Sequence, residues 1–149
     1  MLLTCCGSRR WAAWMAEQRP YRDVGALLAQ ADRASGTLAD GDLAEAFAQE
    51  RPFALAQDPP PSTYAAYTAL SAAHAEYERR FGHVFVICLD AVDPSEHTCH
   101  VLAVIRDRLA SDERREQATA MTELRALTRS RLTRMAEQNP AVPTDRTTS

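Results

Sequence analysis

The sequence is short of the features that assign function quickly, and each shortage excludes something. It has no long apolar run: GHVFVICL, residues 82–89, is the longest uncharged apolar stretch, far below the ~20 residues that a membrane-spanning helix needs. MLLTCCGSRRW does not read as a signal peptide, because its apolar part is too short and its arginines follow rather than precede it. Neither sign of charge dominates: 17 basic and 20 acidic residues leave a formal charge of −3, so no electrostatic footprint for nucleic acid or anionic lipid is present. Strand signal is thin as well, since one stretch alone looks extended and a strand without a partner forms no sheet. No internal repeat is seen. Histidine is absent before His74.

What is present suits one domain. A chain of 149 residues, 46% hydrophobic and 25% charged, can bury roughly two-thirds of its unfolded surface in a single core. With no export signal, the four cysteines are expected as reduced thiols in a cytoplasmic protein. Cys5 and Cys6 are adjacent, where disulfide geometry is hard to meet, and all four, with Cys88 and Cys99, are expected in core packing. The arginines that gather towards the C-terminus are accompanied by acids and read as a solvated helix face.

The apolar pattern is helical nearly throughout. Ser8 can cap a helix with Trp11, Trp14 and Met15 at i, i+3, i+4 spacing, closed by Pro20. Val24, Leu27, Leu28 and Ala31 mark a second helix ending at Ser35 and Gly36. Asp40 or Asp42 can start a third, with Leu43, Ala46 and Phe47. ERPFALAQDPPPS has four prolines in thirteen residues and predicts an irregular loop. Ser62 is the expected cap of the next helix, whose face carries Tyr64, Tyr67, Leu70, His74, Tyr77 and Phe81, most simply as core. Asp93-Pro94-Ser95 launches a helix with Val101, Leu102, Ile105 and Leu109 inward. Ser111 and Asp112 cap the last, which is expected to run to about Met135 with Met121, Leu124, Leu127, Thr128, Arg131 and Met135 inward. The segment HVFVICL is then buried between helices, as a helix or as an extended connector. The fold class expected is all-α: one compact helical domain over residues 1–136, with a polar, disordered tail over 137–149.

Two features invite chemistry. Cys88, His97, Cys99 and His100 have a spacing that suggests zinc, but a structural site usually offers two well-spaced ligand pairs, and on a helix Cys99 would point away from His97 and His100. No metal is therefore expected. Arg131 is a lone cation on an apolar face, which either snorkels to the edge or meets an anion in a cavity.

CCGSRRWAAWM near the N-terminus, AEYERRFGHVFVICLD in the middle and IRDRLASDERREQATAMTELRALTRSRL towards the end follow one another in an order and spacing that resemble the 2-oxo-4-hydroxy-4-carboxy-5-ureidoimidazoline (OHCU) decarboxylase family. The likeness runs from about Leu2 to Leu132. Its strongest features are the Tyr77-to-Phe85 segment and the Arg-Leu, Glu-Leu and Arg-Leu pairs at 108, 123 and 131. The resemblance implies an all-helical, usually dimeric enzyme of urate degradation that turns OHCU into (S)-allantoin without metal or organic cofactor. Its ligand would be a ureido-imidazoline-type small molecule. It further implies that Arg131 holds substrate and that Phe81, Gly82, His83, Val84 and Phe85 form the substrate-facing segment.

The sequence departs from the family pattern at three places. Glu50-Arg51-Pro52 stands where the family has a His-Pro motif, and the Ser-x-x-Glu-Gln motif has no counterpart, because no glutamate lies between Glu50 and Glu76. A positioned acid–base group is worth about 10²- to 10⁴-fold in rate, so both losses bear directly on catalysis. His83 is the candidate replacement proton donor and Glu50 the candidate base. Family members also generally carry a helix before the Cys-Cys-Gly-Ser segment, which is expected to be missing here, leaving Leu2, Leu3 and part of the Trp11 and Trp14 surface more exposed. Three functions follow as alternatives: an OHCU decarboxylase, a catalytically silent relative that binds a purine-pathway metabolite or partner enzyme, and a helical interaction module.

Overall fold

The computed structural model describes residues 1–53 and 60–139. Among these it contains seven α-helices and no strand: α1 (Leu2–Cys5), α2 (Arg9–Glu17), α3 (Val24–Gly36), α4 (Asp40–Ala48), α5 (Tyr64–Phe81), α6 (His97–Leu109) and α7 (Glu113–Gln138). Short 3-10 turns at Pro61–Thr63 and Pro94–Glu96 precede α5 and α6. The all-α expectation holds, and no helix among the described residues is long and apolar enough to cross a membrane. The chain forms two compact units, one of Met1–Ala46 with the chain from Leu124 on, the other of Phe47–Glu123.

In the first unit the helix starts follow the capping rules. Ser8, fully buried, accepts a hydrogen bond from the Trp11 amide at 3.2 Å and sets the start of α2. Trp11 and Met15 bury completely, and the Trp11 indole N–H reaches the Ala31 carbonyl on α3 at 3.4 Å. Asp23 caps α3 by accepting from Ala26 at 2.7 Å. The short α1 ends at Cys5, inside the Cys-Cys-Gly-Ser segment, and Leu3 is half exposed while Trp11 is not exposed at all. Arg129 pairs with Asp32 at the surface.

The second unit is built on α5 against α6. Leu70, Ala73 and Tyr77 of α5 form one buried cluster with Val101 and Ile105 of α6 and with Phe85, which lies between the helices in sequence. Burying each such side chain contributes roughly 1.5–3 kcal/mol, so this cluster anchors the unit. Residues 83–89 form neither helix nor strand among the described residues, so of the two forms expected for HVFVICL the helix is excluded and the connector remains.

Four expectations need correction. Ser62 is not a helix cap: it lies inside the 3-10 turn Pro61–Thr63, and Thr63 precedes α5 with no side-chain cap bond. Pro60 and Pro61, with φ fixed near the helical value, favour that tight turn ahead of the helix. Next, α6 begins at His97, because Asp93 accepts from the amide and the hydroxyl of Ser95 and stabilises a 3-10 turn first. The buried seam of α7 is Glu116, Ala120, Leu124, Thr128, Leu132 and Ala136, whereas Met121, Leu127, Arg131 and Met135 are half-buried. That seam repeats every four residues and uses Ala and Thr, which a search for large apolar side chains passes over. Finally, Cys99 is exposed and Cys88 half-buried, so only Cys5 and Cys6 pack in a core. The proline loop lies partly outside the described residues, as does the tail from residue 140; α7 itself continues to Gln138.

Candidate functional site

The substrate-facing segment expected from the sequence begins where α5 stops. Gly82 ends the helix in the left-handed region at φ 77°, its amide bonded to the Glu78 carbonyl at 2.9 Å. A side chain there would be strained although a Cβ would meet nothing within 4 Å, so conformation alone favours glycine. Arg80 ties this corner down, its guanidinium donating to the carbonyls of Leu109, at the end of α6, and Ser111, just beyond it, and lying 5.0 Å over the Phe81 ring.

His83 packs against two aromatic rings. Phe47 stacks on its imidazole at 4.6 Å and 18°, and Tyr77 meets it nearly edge-on at 5.5 Å and 74°. Its Nδ1 lies 2.9 Å from the Val84 carbonyl. A carbonyl only accepts, so this bond requires the proton on Nδ1 and leaves Nε2 of the neutral ring as a lone-pair base. Tyr77 is the hub of the segment, packing against Phe81 at 4.8 Å and Phe85 at 5.1 Å as well as His83.

Behind the aromatic hub lies a buried polar cluster that the sequence reading missed. Glu116 and Arg108 are 0% and 6% exposed. One Glu116 oxygen, Oε1, accepts from the Tyr77 hydroxyl at 2.5 Å, from Arg108 Nε at 2.7 Å and from Arg108 Nη2 at 2.6 Å. Arg108 Nη1 continues to the Val86 carbonyl at 2.6 Å, and its guanidinium carbon sits 4.2 Å over the Phe85 ring. Burial, then the Glu116 carboxylate, push the Tyr77 hydroxyl well above the usual tyrosine range, so it remains a donor. Two residues on, Glu123 accepts the Cys88 amide at 2.9 Å. The signal was there to find: Arg108 is three residues from Ile105 and seven from Val101, on the inward face of α6.

The connector is thus held from outside its own backbone, at the Val86 carbonyl and the Cys88 amide. Among the described residues, no backbone hydrogen bond uses the amide of Phe85 or Val86, although these residues are 1% and 3% exposed.

Arg131 belongs to the other compact unit. It is half-buried, and its Nη1 donates to the Cys5 carbonyl at 3.2 Å. Burial pushes the Cys5 thiol up, with Arg131 opposing. The structure therefore groups Phe81, His83 and Phe85 around Tyr77 and places Arg131 with Cys5. Glu50 is half-buried, and its amide bonds the Phe47 carbonyl at 3.1 Å, three residues beyond the ring that stacks on His83. Among the candidate zinc ligands, His97 is engaged with the Val92 carbonyl at 2.9 Å and lies edge-on to Phe53. Cys99 and His100 are exposed, and among the described residues no three His, Cys, Asp or Glu side chains group as a metal-binding set.

Comparison with known proteins bears on this arrangement. The family model described as OHCU decarboxylase matches residues 54–133. A crystal structure of OHCU decarboxylase in the presence of (S)-allantoin is similar with a TM-score of 0.76 at 19% identity, covering 91% of this chain and 96% of that one. A crystal structure of (S)-allantoin synthase gives 0.61 at 15% identity, covering 83% of this chain and 40% of that one. At such identities the two structures speak for the fold. No curated protein matches the sequence.

Proposed function

The chain belongs to the OHCU decarboxylase family, and on that premise we propose that it decarboxylates OHCU, or a close ureido-imidazoline acid, without a cofactor. The observation that carries the proposal is the fixed imidazole of His83, bonded to the Val84 carbonyl and packed against Phe47 and Tyr77. The similar structure was determined in the presence of (S)-allantoin, a ligand of the chemistry such a segment suits.

The chemistry needs little else. The carbon–carbon bond to the carboxylate breaks, carbon dioxide leaves, and the bond pair passes into the adjoining imidazoline π system, where the ring nitrogen takes a proton from water. What remains is an enol, with the hydroxyl of the reacting carbon beside the carbon that carries the ureido group. Nε2 of His83 removes that hydroxyl proton and returns it to the ureido-bearing carbon from one side, which gives the carbonyl and the single stereocentre of allantoin. Phe47 and Tyr77, stacked and edge-on, fix the side from which the proton comes. Arg131 is proposed as an anion contact on the sequence resemblance alone, and a homodimer on the same ground.

The test is to generate OHCU in situ from urate, add the protein and follow the circular dichroism of allantoin. Catalysis above buffer is expected, falling about 10²-fold or more in His83→Gln; a rate equal to buffer sinks the proposal. A second reading, a silent binding relative, is favoured by Glu50 standing at the family's histidine position. That reading predicts thermal protection by (S)-allantoin with no turnover, lost in Arg131→Ala, and turnover gained in Glu50→His. Absence of both protection and turnover leaves a helical interaction module.

A further inference from the structure

The cluster behind the connector has a geometry that a packing role alone does not call for. Three donors converge on one oxygen of Glu116, while Oε2 is buried without a partner. A carboxylate placed only to neutralise Arg108 would gain by sharing its two oxygens with the guanidinium fork. Instead, Oε1 is shared between the Arg108 fork and the Tyr77 hydroxyl, and that fixes the tilt of the Tyr77 ring. The same ring lies T-shaped to His83. On the opposite end of the cluster, Arg108 fixes the Val86 carbonyl two residues past the carbonyl that His83 bonds.

We propose that Tyr77, held by Glu116 and Arg108, is a positioning residue that keeps the His83 imidazole in one orientation and one tautomer, with Nδ1 protonated and Nε2 presented as the base. Flipping the ring about its χ2 would put Cδ2 where Nδ1 lies and Cε1 where Nε2 lies, and break the bond to the Val84 carbonyl. The Tyr77 ring and the Phe47 face leave no room to do so without moving an aromatic ring. Loosening Tyr77 therefore frees the flip, and loosening Arg108 lets the Val84–Val86 main chain drift from the imidazole. The step assigned to Nε2 rests on the decarboxylase reading above; the orientation of the ring does not.

The experiment separates the two. Protein labelled with ¹⁵N-histidine is compared as wild type, Tyr77→Phe, Tyr77→Leu and, as a control at an exposed tyrosine, Tyr64→Phe. The His83 signals are assigned by His83→Gln and read in two-bond ¹H–¹⁵N correlations at a pH alkaline enough for the rings to be neutral. Wild type and Tyr64→Phe are expected to show the Nδ1-protonated form alone. Tyr77→Phe, which keeps the ring and loses only the anchor to Glu116, is expected to move both nitrogens towards a mixture of tautomers, and Tyr77→Leu further. In the allantoin assay Tyr77→Phe should lower kcat on the order of tenfold with KM nearly unchanged. Unchanged His83 signals in a folded Tyr77→Phe overturn the proposal even if the wild type is an active decarboxylase. A tautomer shift in a wild type background that never turns over OHCU overturns the decarboxylase reading and upholds the positioning.

Discussion

Replacing His74 with leucine should make the protein more stable. His74 lies on α5, one turn before Tyr77, and its ring meets Phe85 edge-on at 5.8 Å. Both ring nitrogens are buried and neither has a hydrogen-bond partner. A neutral imidazole carries one donor and one acceptor, and each buried group left unpaired costs about 1–3 kcal/mol. Leucine removes both penalties but does not reproduce the shape of the ring, and the misfit returns up to about 1.5 kcal/mol. The net expectation is about 1–2 kcal/mol of added stability near pH 8, which for a chain of this size raises Tm by about 2–8 °C. Acid should widen the gap. Burial lowers the His74 pKa below the ordinary value of 6.5, with Glu78 opposing. The unfolded chain therefore binds the proton more readily than the folded one, and the wild type has its full stability above about pH 6.5, losing it as the pH falls through that value towards the folded pKa. The variant lacks this loss. Thermal and urea melts of both proteins near pH 8, 6.5 and 5 provide the check. A variant that melts below the wild type near pH 8, or that follows the same profile into acid, refutes the reasoning.

Three further outcomes follow from the geometry. Arg108→Ala should cost about 3–5 kcal/mol, because it strands the Glu116 carboxylate in the core, and Arg108→Met combined with Glu116→Leu should cost less than Arg108→Ala alone; urea midpoints measure both. Gly82→Ala should cost about 1–2 kcal/mol through backbone strain at φ 77°, visible as a lower Tm. Ser8→Ala should cost about 1 kcal/mol by removing the cap of α2, with far-ultraviolet circular dichroism at low temperature unchanged.

Much of the fold was legible because the strongest signals are local. Ser8, Pro20, Asp93 and Asp112 act through their nearest backbone neighbours, and the apolar spacing of α2, α3 and α5 records which face is covered. Where the pattern misled, long-range packing had overridden residue type. The seam of α7 passes through Glu116 and Thr128 rather than Met121 and Met135, because Glu116 is balanced by Arg108 and Tyr77 and Thr128 by the Leu124 and Cys5 carbonyls. A single sequence cannot display such partners, which lie 8, 39, 4 and 123 positions away. The candidate site was legible in part for the same reason. Phe81 to Phe85 are contiguous and stand out as a block; Tyr77 and Arg108 carried part of the likeness, but nothing in their positions showed that they meet each other through Glu116.

The residues that carried the family likeness now divide by what they touch. Arg108 holds the Val86 carbonyl, Glu123 holds the Cys88 amide, and the Tyr77-to-Phe85 segment supplies the rings around His83. These contacts hold a connector that forms neither helix nor strand. The clamps act on the main chain at Val86 and Cys88, so they hold it whatever side chain stands at Glu50, three residues past the Phe47 ring that stacks on His83.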